Sequence, residues 1–276
     1  MDWLLLMIYD FKKISCVMVT LGRLPRLYQS IECYLRQTYP YKELIILSQG
    51  SEANNQQIKE YLYQLNRSDI VFQEAPVRLS LGAMRNLSCE LATGTVICQW
   101  DDDDLYHPER LIHQYKALIS NTRAVASAST KFFKYFEDEG RLYWCDWVNE
   151  RRPLCQFLPC SVMFYKRIFN EFKSKLYPEV GPQSNKEEDL NVLAKFLDSG
   201  VVVPVGGGFQ YTYVYHGNNV YGKAHHQLTL LTNSGKQIMS EEVLKQDLSL
   251  ISNTLQLMGI SKKIKLCSLE GEVCEI

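Results

Sequence analysis

TVICQWDDDDLYHPERLIHQYKALI, residues 95–119, sets a short β-prone apolar run, four consecutive aspartates, a proline and an amphipathic stretch one after another. Residues 95–99 read as a buried strand. Leu111, Ile112, Tyr115, Leu118 and Ile119 recur at the three- and four-residue steps of a helix that Pro108 opens. The aspartates therefore fall where a strand hands over to a helix. Adjacent carboxylates repel one another and are costly to desolvate, so such a run needs bulk water or a cation.

The same order recurs upstream. Residues 14–20 form an apolar strand pattern broken by Gly22, and Leu24, Leu27, Tyr28, Ile31 and Leu35 line one face of a helix with Pro25 in its first turn. Residues 43–48 read as a second strand, 58–65 as helix, 70–72 as a short strand, and 81–91 as helix with Met84, Leu87 and Leu91 on one face. Alternating units of this length imply an α/β fold with a largely parallel sheet. Ligands bind such sheets beyond the carboxyl ends of the strands, where Thr20, Ser48, Gln49 and Asp101 to Asp104 fall.

The second half is less regular. Residues 124–136 hold strand material, and Trp144 and Trp147 sit in an aromatic, partly charged segment with the look of a loop. Residues 161–165 read as a strand, 187–197 as a helix stopped by Ser199-Gly200, and 201–205 as a strand. In Tyr211 to His216, Thr212, Val214 and His216 share a face. Ser240 caps a final amphipathic helix carrying Leu244, Leu248, Ile251 and Leu255. The expected organisation is one domain over residues 1–235, with halves at about 12–120 and 121–235, and a helical extension over 236–276 packed on it.

Composition narrows the function. With 276 residues, 46% of them hydrophobic, the chain can bury a large core. Thirty Lys+Arg against 31 Asp+Glu give a net charge of -1, which points away from nucleic acid as a partner. Nine cysteines without a CxxC pair suggest reduced core thiols. The seven apolar residues between Asp2 and Asp10 are far short of the roughly 20 that span a bilayer. The expectation is a cytoplasmic protein, with this N-terminal arm packed on the domain or in peripheral contact with a membrane.

A carboxylate cluster at a strand end suits a hard divalent cation, Mn2+ or Mg2+, held against a ligand's phosphates. The bland counterpart is a solvated acidic turn at a helix start. A DxDxT phosphatase signature fails at Leu105, and a glycine-rich pyrophosphorylase loop fails because residues 20–23 contain one glycine.

CVMVTLGRLPRLYQSIECYLRQTYPYKELIILSQGS (16–51) and LGAMRNLSCELATGTVICQWDDDDLYHPERL (81–111) together resemble the nucleotide-sugar-binding half of glycosyltransferase family 2, with its GT-A fold. The shared features are the strand ending in Thr, Q-T-Y-P, the G-A-x-R-N helix start, the A-x-G turn, and D-x-D-D followed by P-x-R-L. Residues 160–164 and the E-D-L of residues 188–190 extend the likeness to about residue 220.

The resemblance implies a three-layer α/β/α sandwich and transfer of a sugar from a nucleoside-diphosphate sugar with inversion. It puts Asp101 and Asp103 at the D-x-D positions, with Asp103 the direct metal ligand and Asp101 on ribose or metal-bound water. Asp189 takes the catalytic-base position, with Glu188 beside it as the alternative. Thr20, Gly22, Arg23, Ser48, Gln49, Arg85, Asn86, Asp101 and Asp102 become donor-binding candidates, and His216 a third metal or phosphate contact. Asp102 and Asp104 read as supporting or solvated, Asp102 rather as solvated. Trp144, Trp147, Cys160 and Ser161 are candidates for the acceptor side, the two tryptophans equally for the core.

One departure stands out. Where many relatives have D-D-G-S, with an Asp on the base, this chain has Ser48-Gln49-Gly50-Ser51, so UDP, GDP and dTDP all stay open. Glycan, glycolipid and protein acceptors are all open, in polysaccharide or glycoconjugate synthesis. A noncatalytic sugar- or nucleotide-binding module is the reading from another class.

Overall fold

The computed structural model describes residues 11–148, 153–207, 209–231, 237–260, 263–268 and 270–276; the N-terminal arm considered above lies outside them. Strand β1 (Ile14–Thr20) alternates its side chains between two cores. Ile14, Cys16 and Met18 face one apolar cluster and Val17 the other. Such two-sided burial is why β1 reads as a continuous apolar run rather than an alternating one.

Helix α1 (Leu24–Leu35) follows, burying Leu27, Ile31, Cys33 and Tyr34. Strand β2 (Lys42–Ser48) pairs parallel to β1 in a register that sets Ser48 level with Thr20. Helix α2 (Glu52–Leu65) starts earlier than its apolar stripe alone indicates, because the Ser51 side chain accepts from the Asn54 amide and caps it. After β3 (Ile70–Glu74), helix α3 (Leu81–Leu91) is capped in the same way by Ser80. Strand β4 (Val96–Gln99) then carries the acidic run.

Two sheets meet at that run. Strand β5 (Leu105–Tyr106) follows it immediately but belongs to a different sheet from β4. Helix α4 (Arg110–Ile119) comes next, then β6 (Ala124–Ser129), β7 (Lys131–Phe136), β8 (Arg141–Asp146), β9 (Met163–Tyr165), the short α5 (Lys166–Glu171), α6 (Glu188–Ser199), β10 (Val201–Val205) and β11 (Tyr211–Tyr215). The first sheet has the order β10-β6-β9-β4-β1-β2-β3 and is parallel except for β9. The second, mixed sheet pairs β5 antiparallel to β11, and β11 parallel to β7. The expected α/β architecture with a largely parallel sheet is what forms.

Several local expectations change. Trp144 lies in β8 rather than a loop, and residues 159–161 make a 3-10 turn before the shorter β9. Past α7 (Lys223–Leu231) and β12 (Gln237–Ile238), the final helix is two, α8 (Glu241–Gln246) and α9 (Leu248–Leu257), with Ser240 as the cap of the first. The C-terminal segment is not purely helical. Strands β13 (Lys265–Ser268) and β14 (Gly271–Glu275) form a hairpin, and β13 pairs with β8, so the segment extends the second sheet. Among the described residues no helix is long and apolar enough to cross a membrane.

Candidate functional site

The acidic loop is anchored before its carboxylates begin. Trp100 is fully buried, and its indole N–H donates to Ser30 Oγ at 3.0 Å. The Tyr106 hydroxyl accepts the Asp101 N–H at 2.8 Å. With its ends held in two sheets, the loop sends its four side chains in different directions.

Asp102 turns inward. Thr20 Oγ1 donates to its Oδ2 at 2.5 Å and Arg23 Nη2 to its Oδ1 at 2.8 Å. It is only 3% exposed, which corrects the expectation of a solvated side chain. Burial and the neighbouring Asp103 charge push its carboxyl up, against the pull of Arg23 and Thr20. Asp104 is also buried: Tyr211 Oη donates to Oδ2 at 2.5 Å and the Val214 amide to Oδ1 at 2.9 Å, locking the loop to β11. Burial raises its carboxyl well above the ordinary range.

Asp103 faces the cleft. His216 Nε2 lies 3.0 Å from its Oδ2, and Arg23 Nη2 at the same distance. Burial would raise this carboxyl, but the His216 hydrogen bond and the Arg23 charge outweigh it and hold Asp103 below its usual value. The Asn218 N–H points to His216 Nδ1 at 3.3 Å, so Nε2 is the nitrogen that carries hydrogen toward Asp103.

Asp101 faces the other flank of the cleft. Arg85 Nη1 reaches its Oδ1 at 3.0 Å, while Arg85 Nε donates to Glu188 Oε1 at 2.9 Å. Asp189 follows in the first turn of α6, where Oδ1 accepts the N–H of Leu190 at 2.8 Å. Burial and the adjacent Glu188 charge push its carboxyl up to about 7, against the pull of Arg85. The preceding Glu187 has φ of 63°, left-handed backbone that a side-chain-bearing residue rarely adopts; such strain is characteristic of functional sites.

Most of these groups line one cavity of about 380 Å³. Of the sequence candidates, Thr20, Arg23, Gln49, Arg85, Asp101, Asp102, Asp103, Cys160, Glu188 and Asp189 line it. Gly22, Ser48, Asn86, His216, Trp144, Trp147 and Ser161 do not. Gly22 has φ of 80° and its Cα lies against the α2 start, where a Cβ would meet Asn54 at 3.0 Å. Ser48 Oγ donates to Asn55 Oδ1 at 2.7 Å.

Asn86 is used up by the chain itself, bonding Tyr177 through both its N–H and C=O and Glu179 through its amide. Ser161 Oγ donates to Leu158 O and accepts the Ser129 amide. Trp144 packs on Phe209 and Trp147 on Phe132, so both are core residues, away from the cavity. Gln49 reaches the cavity, with one amide N–H and one Oε1 lone pair bonded to the Leu79 backbone. Residues missed from sequence include Arg78, Lys186, Tyr213 and Tyr221. Tyr213 was visible in the alternation of β11, on the face opposite His216; the other three are loop residues without a local pattern.

The donor set fits a hard divalent cation. Asp103 is ionised, faces the cavity and shares it with Asp101. As it stands, His216 orients Asp103 rather than offering a lone pair. A second grouping, Asp101, Asp104 and Cys160, brings ligand atoms within 4.8 Å of one another. There each Asp104 oxygen accepts one hydrogen bond, from Tyr211 and from Val214, and the Tyr211 hydroxyl also reaches Cys160 Sγ, so that grouping is cross-linked by hydrogen bonds.

The family model described as Glycosyl transferase family 2 matches residues 15–176. A curated relative from Escherichia coli (strain K12), provisionally named a colanic acid biosynthesis glycosyl transferase, WcaA, is 34% identical over 98 residues, 36% of this chain and 35% of that one. The match thus spans about a third of that relative's length. A mannosyltransferase from Pyrobaculum calidifontis, PcManGT, solved with GDP-Man and Mn2+, superposes with a TM-score of 0.58 at 10% identity, covering 90% of this chain and 68% of that one. S. aureus TarS 1-349 with UDP-GlcNAc gives a TM-score of 0.57 at 13% identity, covering 88% and 66%. At such identities the likeness is one of fold.

Proposed function

Because this chain belongs to glycosyl transferase family 2, we propose that it transfers a sugar, with inversion, from a nucleoside-diphosphate sugar to an acceptor hydroxyl. The observation that carries this reading is that Asp103 and Asp189 line one cavity together with Asp101, Arg85 and Glu188, the last three linked by ion pairs.

Asp103, with Asp101, would hold Mn2+ or Mg2+. Bound there, the cation stabilises the negative charge that grows on the departing diphosphate. As the acceptor oxygen bonds to the anomeric carbon, the bond from that carbon to phosphate oxygen breaks and its electron pair leaves with the diphosphate. The acceptor's proton passes to Asp189. That carboxylate suits the task because burial keeps it basic near neutrality. Glu188 is tied to Arg85 and positions its neighbour rather than taking the proton. Arg23 keeps a fixed positive charge beside Asp102 and Asp103.

The ligands of the structural neighbours support a nucleotide-sugar donor, GDP-Man in one and UDP-GlcNAc in another. WcaA's provisional name supports a role in polysaccharide or glycoconjugate synthesis. The acceptor class, whether glycan, glycolipid or protein, and a cytoplasmic site of action belong to the proposal too. The test is a thermal-shift series with UDP, GDP, dTDP and CDP, with and without Mn2+, on the parent and Asp103→Ala. Stabilisation by a nucleotide that needs Mn2+ and disappears in the variant is expected. No response to any of them would overturn the donor site, and Mn2+-independent binding without sugar transfer would favour the noncatalytic module.

A further inference from the structure

Among the described residues, the hydroxyl-bearing side chains that line the cavity are Thr20, Tyr213 and Tyr221. Thr20 donates to Asp102 at 2.5 Å, and Tyr221 lies beside Glu187 with its ring stacked on His225 at 4.2 Å. The Tyr213 hydroxyl makes no hydrogen bond to any described residue. A phenol at a cavity wall with nothing in its own chain to bond is left to a ligand.

The ring of Tyr213, by contrast, is held on several sides. Pairing of β11 with β7 sets it level with Lys134. The Lys134 ammonium lies 5.6 Å from the ring centroid, and it donates to His226 O at 3.1 Å and to Thr229 Oγ1 at 2.6 Å, which ties α7 to this part of the sheet. From α7 the buried His226 lays its imidazole along the Tyr213 ring, with centroids 5.4 Å apart and planes 29° from parallel. A hydroxyl carried on so fixed a ring loses little freedom when a ligand binds it.

The surroundings of the phenol decide what it meets. Burial, followed by Cys160 and the carboxylates of Asp104, Asp103 and Asp189, holds it well above its ordinary range, so it keeps its hydrogen at neutral pH. Tyr213 is thus within electrostatic reach of both ends of the reaction described above. The bond that breaks adjoins the diphosphate at Asp103, and the bond that forms is made by the oxygen whose proton goes to Asp189. The sugar in transit lies between them. Ionised carboxylates can only accept from its hydroxyls, and the phenol supplies a donor that they lack.

We propose that Tyr213 is a sugar-binding residue of the donor site: its hydroxyl donates to an oxygen of the sugar being transferred and orients that ring for attack. The proposal rests on the donor-site reading above. On this assignment a nucleoside diphosphate without its sugar makes no use of the phenol.

Calorimetric titration of the full chain in Mn2+ tests this on the parent, Tyr213→Phe and Tyr215→Phe. The probes are UDP-glucose, UDP-GlcNAc, GDP-mannose and dTDP-rhamnose, and UDP, GDP and dTDP alone. Tyr213→Phe keeps the stack on His226 and loses only the hydroxyl, so its melting temperature should match the parent's. Its affinity for the preferred sugar nucleotide should fall about three- to tenfold, the worth of one neutral hydrogen bond, while that for the matching diphosphate stays within about twofold. Tyr215→Phe, whose ring also meets His226 but does not line the cavity, should change neither. Equal weakening of sugar nucleotide and diphosphate by Tyr213→Phe would overturn the proposal, by placing the hydroxyl on phosphate or in the fold. Unaltered affinity for the sugar nucleotide would overturn it as well. A parent that binds neither diphosphates nor sugar nucleotides would overturn the donor site itself, and this reading with it.

Discussion

Arg85 Nε donates to Glu188 Oε1 at 2.9 Å, joining the middle of α3 to the first residue of α6. The other arm of the same guanidinium holds Asp101. One buried cation therefore sets the spacing between the acidic loop and the start of α6. Glu188, tied to Arg85, and the next residue, Asp189, both line the cavity, and among the described residues Asp189 enters no ion pair.

Removing Arg85 strands two carboxylates that are both largely out of water. Arg85→Ala should cost about 3–5 kcal/mol, the loss expected when one partner of a buried ion pair is deleted. Urea unfolding of the parent and the variant measures it. A loss below about 1 kcal/mol would mean that the pair behaves as a surface contact.

The raised carboxyl of Asp189 predicts a pH dependence with a definite sign. The folded state holds this proton up to about 7, whereas the unfolded chain releases it near the ordinary value of about 4. This group's contribution to stability is therefore intact below about 4 and is lost as the pH rises toward 7. Asp189→Asn should melt above the parent at pH 8, with the gap closing toward pH 4. Transfer by the parent should rise with pH through about 7, following a single deprotonation, and be lost in the variant. Equal melting shifts at both pH values would refute the assignment.

Asn86 should behave as a structural residue and not as a ligand contact. Its side chain makes three bonds to Tyr177 and Glu179. Asn86→Ala should lower stability by about 2–3 kcal/mol through the unsatisfied backbone groups it leaves. Nucleotide affinity, measured well below the melting temperature, should change less than about twofold, since the residue does not line the cavity.

Gly82 sits where the same segment crosses α3. A Cβ there would lie 1.9 Å from the Pro178 carbonyl oxygen, which is backbone and cannot turn aside. Gly82→Ala should cost about 1–3 kcal/mol, as overpacking does. Because Gly82 and Asn86 hold one segment, the double variant should cost less than the sum of the two, which chemical denaturation would show.

Much of the fold was legible because its signals are local. The strand runs of β1, β2 and β4, the stripes of α1 and α4, and the cap at Ser240 each lie within a dozen residues. The β13–β14 hairpin was not legible: its strands are four and five residues long and owe their order to pairing with β8. Trp144 and Trp147 illustrate the same limit. An aromatic side chain can stack on a ligand or fill a core, and Phe209 and Phe132 decide which here.

The sequence by itself determined that four carboxylates would stand at a strand end beside an arginine- and asparagine-bearing helix, and that an E-D pair would open a later helix. Tertiary structure decided what each of these groups does. Asp102 and Asp104 are buried and Asp103 open because Thr20, Arg23, Tyr211 and Val214 arrive from β1, the α1 start and β11 to claim particular oxygens. The physical reason is that a polar group leaves water only where a partner waits for it. Those partners lie about 80 to 110 residues away, brought close by strand pairing that no local pattern encodes.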